Sequence, residues 1–236
     1  FNTLEFLKMK KKSSDKRGGY RKESVRLRTA KGRKTSSTKW LERQLNDPYV
    51  LSAKKEGYRS RAAYKLIELD EKFGFLRSGQ SIVDLGAAPG SWSQVAAEKI
   101  GKKGKIVGID LLHVDGMPGA EFIKGDFLSD EIYAKIKSII GDNKVDVVLS
   151  DMAANTTGHR PTDHIRTIAL GEAAFEFALE VLKPGGVFIS KTFQGGTEGE
   201  LLKRIKAAFK NAKHSKPKAS RPESPEVYLV AIGFKG

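Results

Sequence analysis

The sequence predicts an α/β protein with a mostly parallel sheet wrapped by helices on both faces. Short β-branched runs alternate with amphipathic helical patterns, the order that builds strand-helix-strand units. The chain has 236 residues, 39% of them hydrophobic and 30% charged, which is ample for a sizeable core. No apolar stretch approaches the roughly 18 residues of a membrane-spanning helix, so a transmembrane reading is excluded.

Residues 1–38 carry 13 Lys/Arg against Glu5, Asp15 and Glu23 and show no sustained apolar period. They are expected to form a disordered basic arm. No apolar core of the length a secretory signal needs follows it. A single folded domain is expected over 39–236, opening with a helical extension at 39–57. Helices are predicted at Lys39–Asp47 and Ser60–Phe73, the second capped by Ser60, with Ala63, Leu66, Ile67 and Asp70 at helical spacing. Strands follow at Ser81–Leu85, Lys105–Ile109, Val145–Ser150 and Val187–Phe193. Helices are placed between them at Ser91–Ile100, Glu131–Ile140 and Ile165–Leu182. Thr162 and Asp163 are cap candidates for the last of these, and Lys183-Pro184-Gly185-Gly186 its stop. Leu201, Leu202, Ile205, Ala208 and Phe209 then recur at helical spacing, before a short strand near Ala212–Lys216 and a final strand at Glu226–Ile232. No internal repeat is visible.

The formal charge of +15 divides unevenly: +10 lies in residues 1–38 and +8 over Leu201–Pro222, which leaves −3 for the rest. A field of this sign favours polyanionic partners, nucleic acid before a membrane surface. The second basic run reads equally well as a solvated helix face or a nucleic-acid surface. The chain has no cysteine, which excludes disulfides, zinc-thiolate sites, iron–sulfur clusters and cysteine nucleophiles.

The most specific local signal is Ile82-Val83-Asp84-Leu85-Gly86-Ala87-Ala88-Pro89-Gly90-Ser91-Trp92, a strand running through a glycine turn into a helix. Gly86 and Gly90 let a ligand approach the backbone closely. The spacing lacks the Gly-x-Gly-x-x-Gly of dinucleotide enzymes. Twenty residues past Gly90, Asp110 ends the next strand, where a carboxylate can accept from both ribose hydroxyls. Asp126, closing Phe122-Ile123-Lys124-Gly125-Asp126, is placed to meet an adenine edge. An adenosine ligand without a diphosphate fits this set better than NAD. Each feature alone could belong to an ordinary strand-to-helix turn with incidental acids; the three together point to a ligand.

Asp84–Trp92, Asp110, Gly125-Asp126, Ser150-Asp151-Met152-Ala153 and Lys191-Thr192-Phe193-Gln194-Gly195 together resemble the FtsJ/RrmJ (RlmE) family of ribosomal RNA ribose 2′-O-methyltransferases. The resemblance runs from about Lys39 to Gly236 and includes Trp40-Leu41 and Ser60-Arg61-Ala62. The glycine turn alone indicates only the broad methyltransferase fold. The Ser-Asp-Met-Ala and Lys-x-Phe-Gln-Gly segments narrow it. The arm at 1–38 lies outside the match.

The resemblance implies a Rossmann-like class I methyltransferase fold, a seven-stranded sheet whose last strand is antiparallel, and S-adenosyl-L-methionine as cofactor. It implies cofactor contacts at Gly86, Pro89, Gly90, Trp92, Asp110, Asp126 and Asp151. The implied substrate is a uridine in the A-loop of 23S large-subunit rRNA, on a precursor or assembled subunit. A cytoplasmic monomer is expected, with no membrane partner and no metal; His113, His159, His164 and His214 form no ligand cluster, and His159 with His164 are expected in a polar substrate-facing loop.

The family's Lys-Asp-Lys-Glu tetrad falls here on Lys65, Asp151, Lys191 and Glu226. Chain geometry agrees independently. Asp151 ends one parallel strand and Lys191 lies near the end of another, so both face the crevice where open α/β sheets bind ligands. An antiparallel last strand brings Glu226 to the same edge, and Lys65 lies on the helix before the first strand. Positions 187, 189, 191 and 193 share a strand face, three of them apolar, so Lys191 is expected to be partly desolvated. The set suits in-line methyl transfer to a ribose hydroxyl, with neutral Lys191 as the base, Asp151 steering it, and Lys65 and Glu226 holding the ribose.

A pyrimidine C5-methyltransferase would need a cysteine nucleophile, which is missing. An N6-adenine methyltransferase would show Asn/Asp-Pro-Pro-aromatic where this chain has Ser150-Asp151-Met152-Ala153-Ala154-Asn155. The alternative from another class is a catalytically idle RNA-binding ribosome-assembly factor, in which the tetrad has no role.

Overall fold

A computed structural model describes residues 35–154, 158–193 and 199–236. The expectation for the arm falls almost wholly outside them. Before Gly57 lie two helices that cluster as their own unit, α1 (Thr35–Asn46) and α2 (Pro48–Glu56). α1 therefore starts four residues ahead of the boundary expected at residue 39. Asp47, read as the end of the first helix, instead caps α2: its carboxylate accepts from Tyr49 N at 3.0 Å, and Pro48 occupies the first turn, where no amide donor is needed.

Tyr58–Gly236 forms the second unit. In chain order it contains α3 (Ala63–Phe73), β1 (Ser81–Leu85), α4 (Ser91–Ile100), β2 (Lys105–Asp110), β3 (Ala120–Lys124), α5 (Asp130–Ile140), β4 (Val145–Ser150), α6 (Arg160–Val181), β5 (Leu182–Phe193), α7 (Glu200–Ala208), β6 (Phe209–Ser215) and β7 (Glu226–Phe234). The strands form one seven-stranded sheet in the order β3-β2-β1-β4-β5-β7-β6. β7 runs antiparallel to both neighbours and the other six strands share a direction.

Each face of the sheet buries an apolar layer, which is why the central strands read as continuous hydrophobic runs. On one side Leu66 and Leu69 of α3 and Trp92 and Val95 of α4 pack on Ile82, Val147 and Ile189. On the other, Phe175 and Phe177 of α6 and Ile205 of α7 pack on Val83, Val148 and Phe188. Phe175, Phe177 and Phe188 are fully buried, each stabilising the fold by about 1.5–3 kcal/mol.

Several boundaries differ from expectation for local reasons. Ser60 does not cap α3. Its hydroxyl accepts from Ala62 N at 3.2 Å and bonds Ser91 Oγ at 2.7 Å, stabilising a tight turn ahead of the helix. Thr162 and Asp163 lie inside α6, whose cap position is His159. Lys183-Pro184-Gly185-Gly186 belongs to β5 as a bulge: Val145 pairs with Leu182 but Val147 pairs with Val187, and Lys183 meets Asp146 at 3.2 Å. β3, which carries a single buried residue, Ile123, gave no apolar run to read. Among the described residues no helix is long and apolar enough to cross a membrane.

Candidate active site

The strand order reverses between β1 and β4, and the cleft lies past their carboxyl ends, where such sheets bind ligands. Backbone bonds lock the turn after β1: Gly86 N and Ala87 N donate to Ile109 O at 2.9 and 3.0 Å. Gly86 has φ +79°, and a Cβ there would stand 2.8 Å from the Met152 backbone. Only glycine fits that crossing of chains. The resulting cavity of about 420 Å³ is lined by Gly86, Ala88, Asp110, Asp126, Asp151 and Met152 among others.

Asp110 is held rigidly, accepting from Ala88 N at 2.9 Å and Leu112 N at 2.8 Å, one through each carboxylate oxygen. Asp126 accepts from Leu128 N at 3.0 Å. Leu111, Leu112 and Leu128 are exposed beside them and border the same cavity. Two fixed acids on an apolar-walled cleft of this volume fit a nucleoside. Pro89, Gly90 and Trp92 do not line the cavity. Pro89 O accepts from the Arg59 guanidinium at 3.1 Å, and Gly90 packs against that side chain. Trp92 is a core residue, donating to Ala62 O at 3.0 Å and lying 5.5 Å from the Tyr228 ring.

Lys65, Asp151, Lys191 and Glu226 come together from α3, the end of β4, β5 and the start of β7. Lys65 Nζ lies 2.8 Å from Glu226 Oε1, and Lys191 Nζ lies 3.0 Å from Asp151 Oδ1. Lys191 also donates to the Asp151 carbonyl. The Tyr228 hydroxyl, unanticipated from sequence, joins the two pairs: it donates to Asp151 Oδ1 at 2.7 Å and accepts from Lys65 Nζ at 3.1 Å. Its signal was available in the strand period, since Tyr228 lies two residues past Glu226 and pairs directly with Lys191. Ser220, also missed, is buried and donates to Glu226 Oε1 at 2.8 Å.

Burial alone would push the Asp151 carboxyl up; the Lys191 and Lys65 ammonium groups and the Tyr228 hydroxyl outweigh it and hold the group below its ordinary value. Burial, together with Asp151 and Glu226, pushes the Tyr228 phenol well above its ordinary range, so it stays a proton donor. Beneath the glycine turn, burial raises Asp84 to about 7 against the opposing Ser93 hydroxyl bond of 2.6 Å. Its Oδ1 is buried with no hydrogen-bond partner among the described residues.

Two of the histidines have polar partners close by in sequence. His113 lies 3.5 Å from Asp115, and His159 Nδ1 lies 2.8 Å from Thr162 Oγ1. The expected polar loop is not what holds His159 and His164: the first is the cap of α6 and the second lies in its opening turns. The described residues hold no group of acids and histidines able to bind a metal ion.

A seven-stranded sheet with one reversed strand, and a nucleoside-sized cleft sharing Asp151 with a lysine–carboxylate network, define a Rossmann-like methyltransferase. The crystal structure of a ribosomal RNA methyltransferase from Plasmodium falciparum matches it with a TM-score of 0.69 and 38% identity, over 76% of this chain and 100% of that one. The family model described as FtsJ-like methyltransferase matches residues 58–234, and the chain belongs to that family. A protein from Paramagnetospirillum magneticum named "Ribosomal RNA large subunit methyltransferase E" is 57% identical over 224 residues, covering 93% of this chain and 91% of the relative. One of the same name from Azorhizobium caulinodans is 58% identical over 215 residues, 90% of this chain and 89% of its own.

Proposed function

We propose that this chain methylates the 2′-hydroxyl of a ribose in large-subunit ribosomal RNA, taking the methyl from S-adenosyl-L-methionine. The observation that carries the reading is that Asp151 belongs both to the cleft and to the Lys65-Tyr228-Asp151-Lys191-Glu226 network. The relatives' names supply the RNA, and the resemblance of the motif set points to a uridine of the A-loop.

Asp110 would hold the cofactor's ribose hydroxyls and Asp126 its adenine edge, with Gly86 leaving room for the chain of atoms between. When bound, S-adenosyl-L-methionine supplies an electrophilic methyl on a positive sulfur. The chain's own residues then manage one proton. Lys191 in its neutral form takes the proton of the 2′-hydroxyl as the oxygen–carbon bond forms and the sulfur–carbon bond breaks. Asp151, held ionised, fixes the position of Lys191 and balances the charge the amine gains. Lys65 and Glu226, braced by Ser220, orient the ribose. An assembly factor without catalysis has no use for this network, which favours the enzyme reading.

The test is to incubate the protein with large ribosomal particles and labelled cofactor and to map 2′-O-methyl groups in the RNA. Transfer to one ribose is expected, with Lys191→Ala abolishing it while cofactor affinity stays within a few-fold. Wild-type turnover by Lys191→Ala would sink the base assignment, and label on a base nitrogen or carbon would sink the ribose reading.

A further inference from the structure

Phe193 ends β5 two residues beyond Lys191, and its backbone pairs with Glu226 at the start of β7. The ring belongs to neither apolar layer of the molecule and remains partly exposed. The imidazole of His164, from the opening turns of α6, lies parallel to it with ring centres 6.2 Å apart and planes 23° apart. The neighbouring Ile165 is 66% exposed. A partly solvated aromatic pair outside both apolar layers and beside the network in sequence contributes little to folding, and single-stranded RNA bases are recognised largely by stacking on such rings.

We infer that the Phe193 ring, backed by His164, is the stacking surface for the base of the nucleotide whose ribose is methylated. The inference rests on the ribose reading above. A ribose carries its base on the carbon next to the one bearing the 2′-hydroxyl. A hydroxyl presented to Lys191 therefore puts the base within reach of a residue about 6.6 Å further along the same strand. Stacking is tolerant of base identity, so Phe193 and His164 select for a planar, unstacked base rather than for one lettered base.

The test uses the full chain and large-subunit particles reconstituted from RNA ligated to carry either uridine or the non-planar 5,6-dihydrouridine at the methylated position. The wild-type protein is expected to prefer uridine by about tenfold in kcat/KM, the worth of one stacked base. Phe193→Leu should lower kcat/KM on uridine by about tenfold, chiefly through KM, and leave the dihydrouridine value unchanged. Phe193→Trp should retain the preference, and His164→Ala should erode it. An equal loss on both substrates, or no loss on either, overturns the stacking surface while ribose transfer stands. No 2′-O-methyl on either substrate with the wild-type protein overturns the ribose reading, and the stacking surface with it.

Discussion

Tyr228 shows how much one hydroxyl can organise. It is fully buried, and its oxygen touches a carboxylate on one side and an ammonium on the other. Tyr228→Phe keeps the ring against Trp92 and removes only that junction. Hydrogen bonds to charged groups contribute about 1.5–3 kcal/mol, so kcat should fall at least about tenfold with cofactor affinity unchanged. Asp151 also loses a donor that lowers its pKa, so the acid limb of the pH–rate profile should move to higher pH. A profile that keeps its acid limb in place would show that the hydroxyl only fills space. Asp84 gives a second test, of stability. Its folded value of about 7 stands above its ordinary 3.8, so between these the folded state holds a proton that the unfolded state has released. Stability therefore declines as pH rises through that window. Asp84→Asn removes the ionisation and leaves one amide to be accommodated, for a net gain of about 1–3 kcal/mol at pH 8 that turns into no gain or a loss of up to about 2 kcal/mol at pH 4.5. Thermal melts at the two pH values check this, and a variant that loses stability at pH 8 defeats it.

Among the elements, those with strong local periods were legible in sequence and those defined by their neighbours were not. β1, α4 and β4 fall on their expected residues because Val, Ile and Leu runs and a glycine turn mark them without help from tertiary context. α2 lies inside the helical extension expected at 39–57 but was not separated from the helix before it, and β3 was missed. α2 is defined by Asp47 and Pro48 at its start more than by an apolar face, and β3 is an edge strand that buries only Ile123. The β5 bulge could not be read either. Pro184 and Gly185 mark a chain break in any sequence, and only pairing with β4 turns that break into an excursion within a strand. The same division holds in the site. Asp110 and Asp126 line the cleft and were singled out from sequence, Asp110 as the end of a β-branched strand and Asp126 from its place after Gly125, whereas Ser220 reaches Glu226 from an irregular segment whose place depends on the folded whole. Trp92 was assigned to the cofactor from its position in the turn motif, but its burial against Tyr228 follows from helix phase.

For the molecule as a whole, charge and chemistry occupy different parts of the chain. The largest share of the positive charge is in residues 1–38, while the cleft that holds Asp110 and Asp126 lies in a portion of net −3. Removing residues 1–34 should therefore leave cofactor affinity unchanged and weaken RNA binding. The slope of log affinity against log salt should flatten by about 0.7–0.9 for each phosphate that is no longer neutralised. A salt titration in which the two proteins superimpose would assign RNA binding to residues 35–236 alone. The reversed direction of β7 has a practical consequence. The strand delivers Glu226 to the reacting edge and runs away from it for nine residues, so that Gly236 comes to rest beside Pro184 at the opposite edge of the sheet. A fluorophore or surface anchor attached at Gly236 would sit on the order of 25 Å from Glu226 along the strand, leaving the Lys65, Asp151, Lys191 and Glu226 end of the sheet clear for a large substrate.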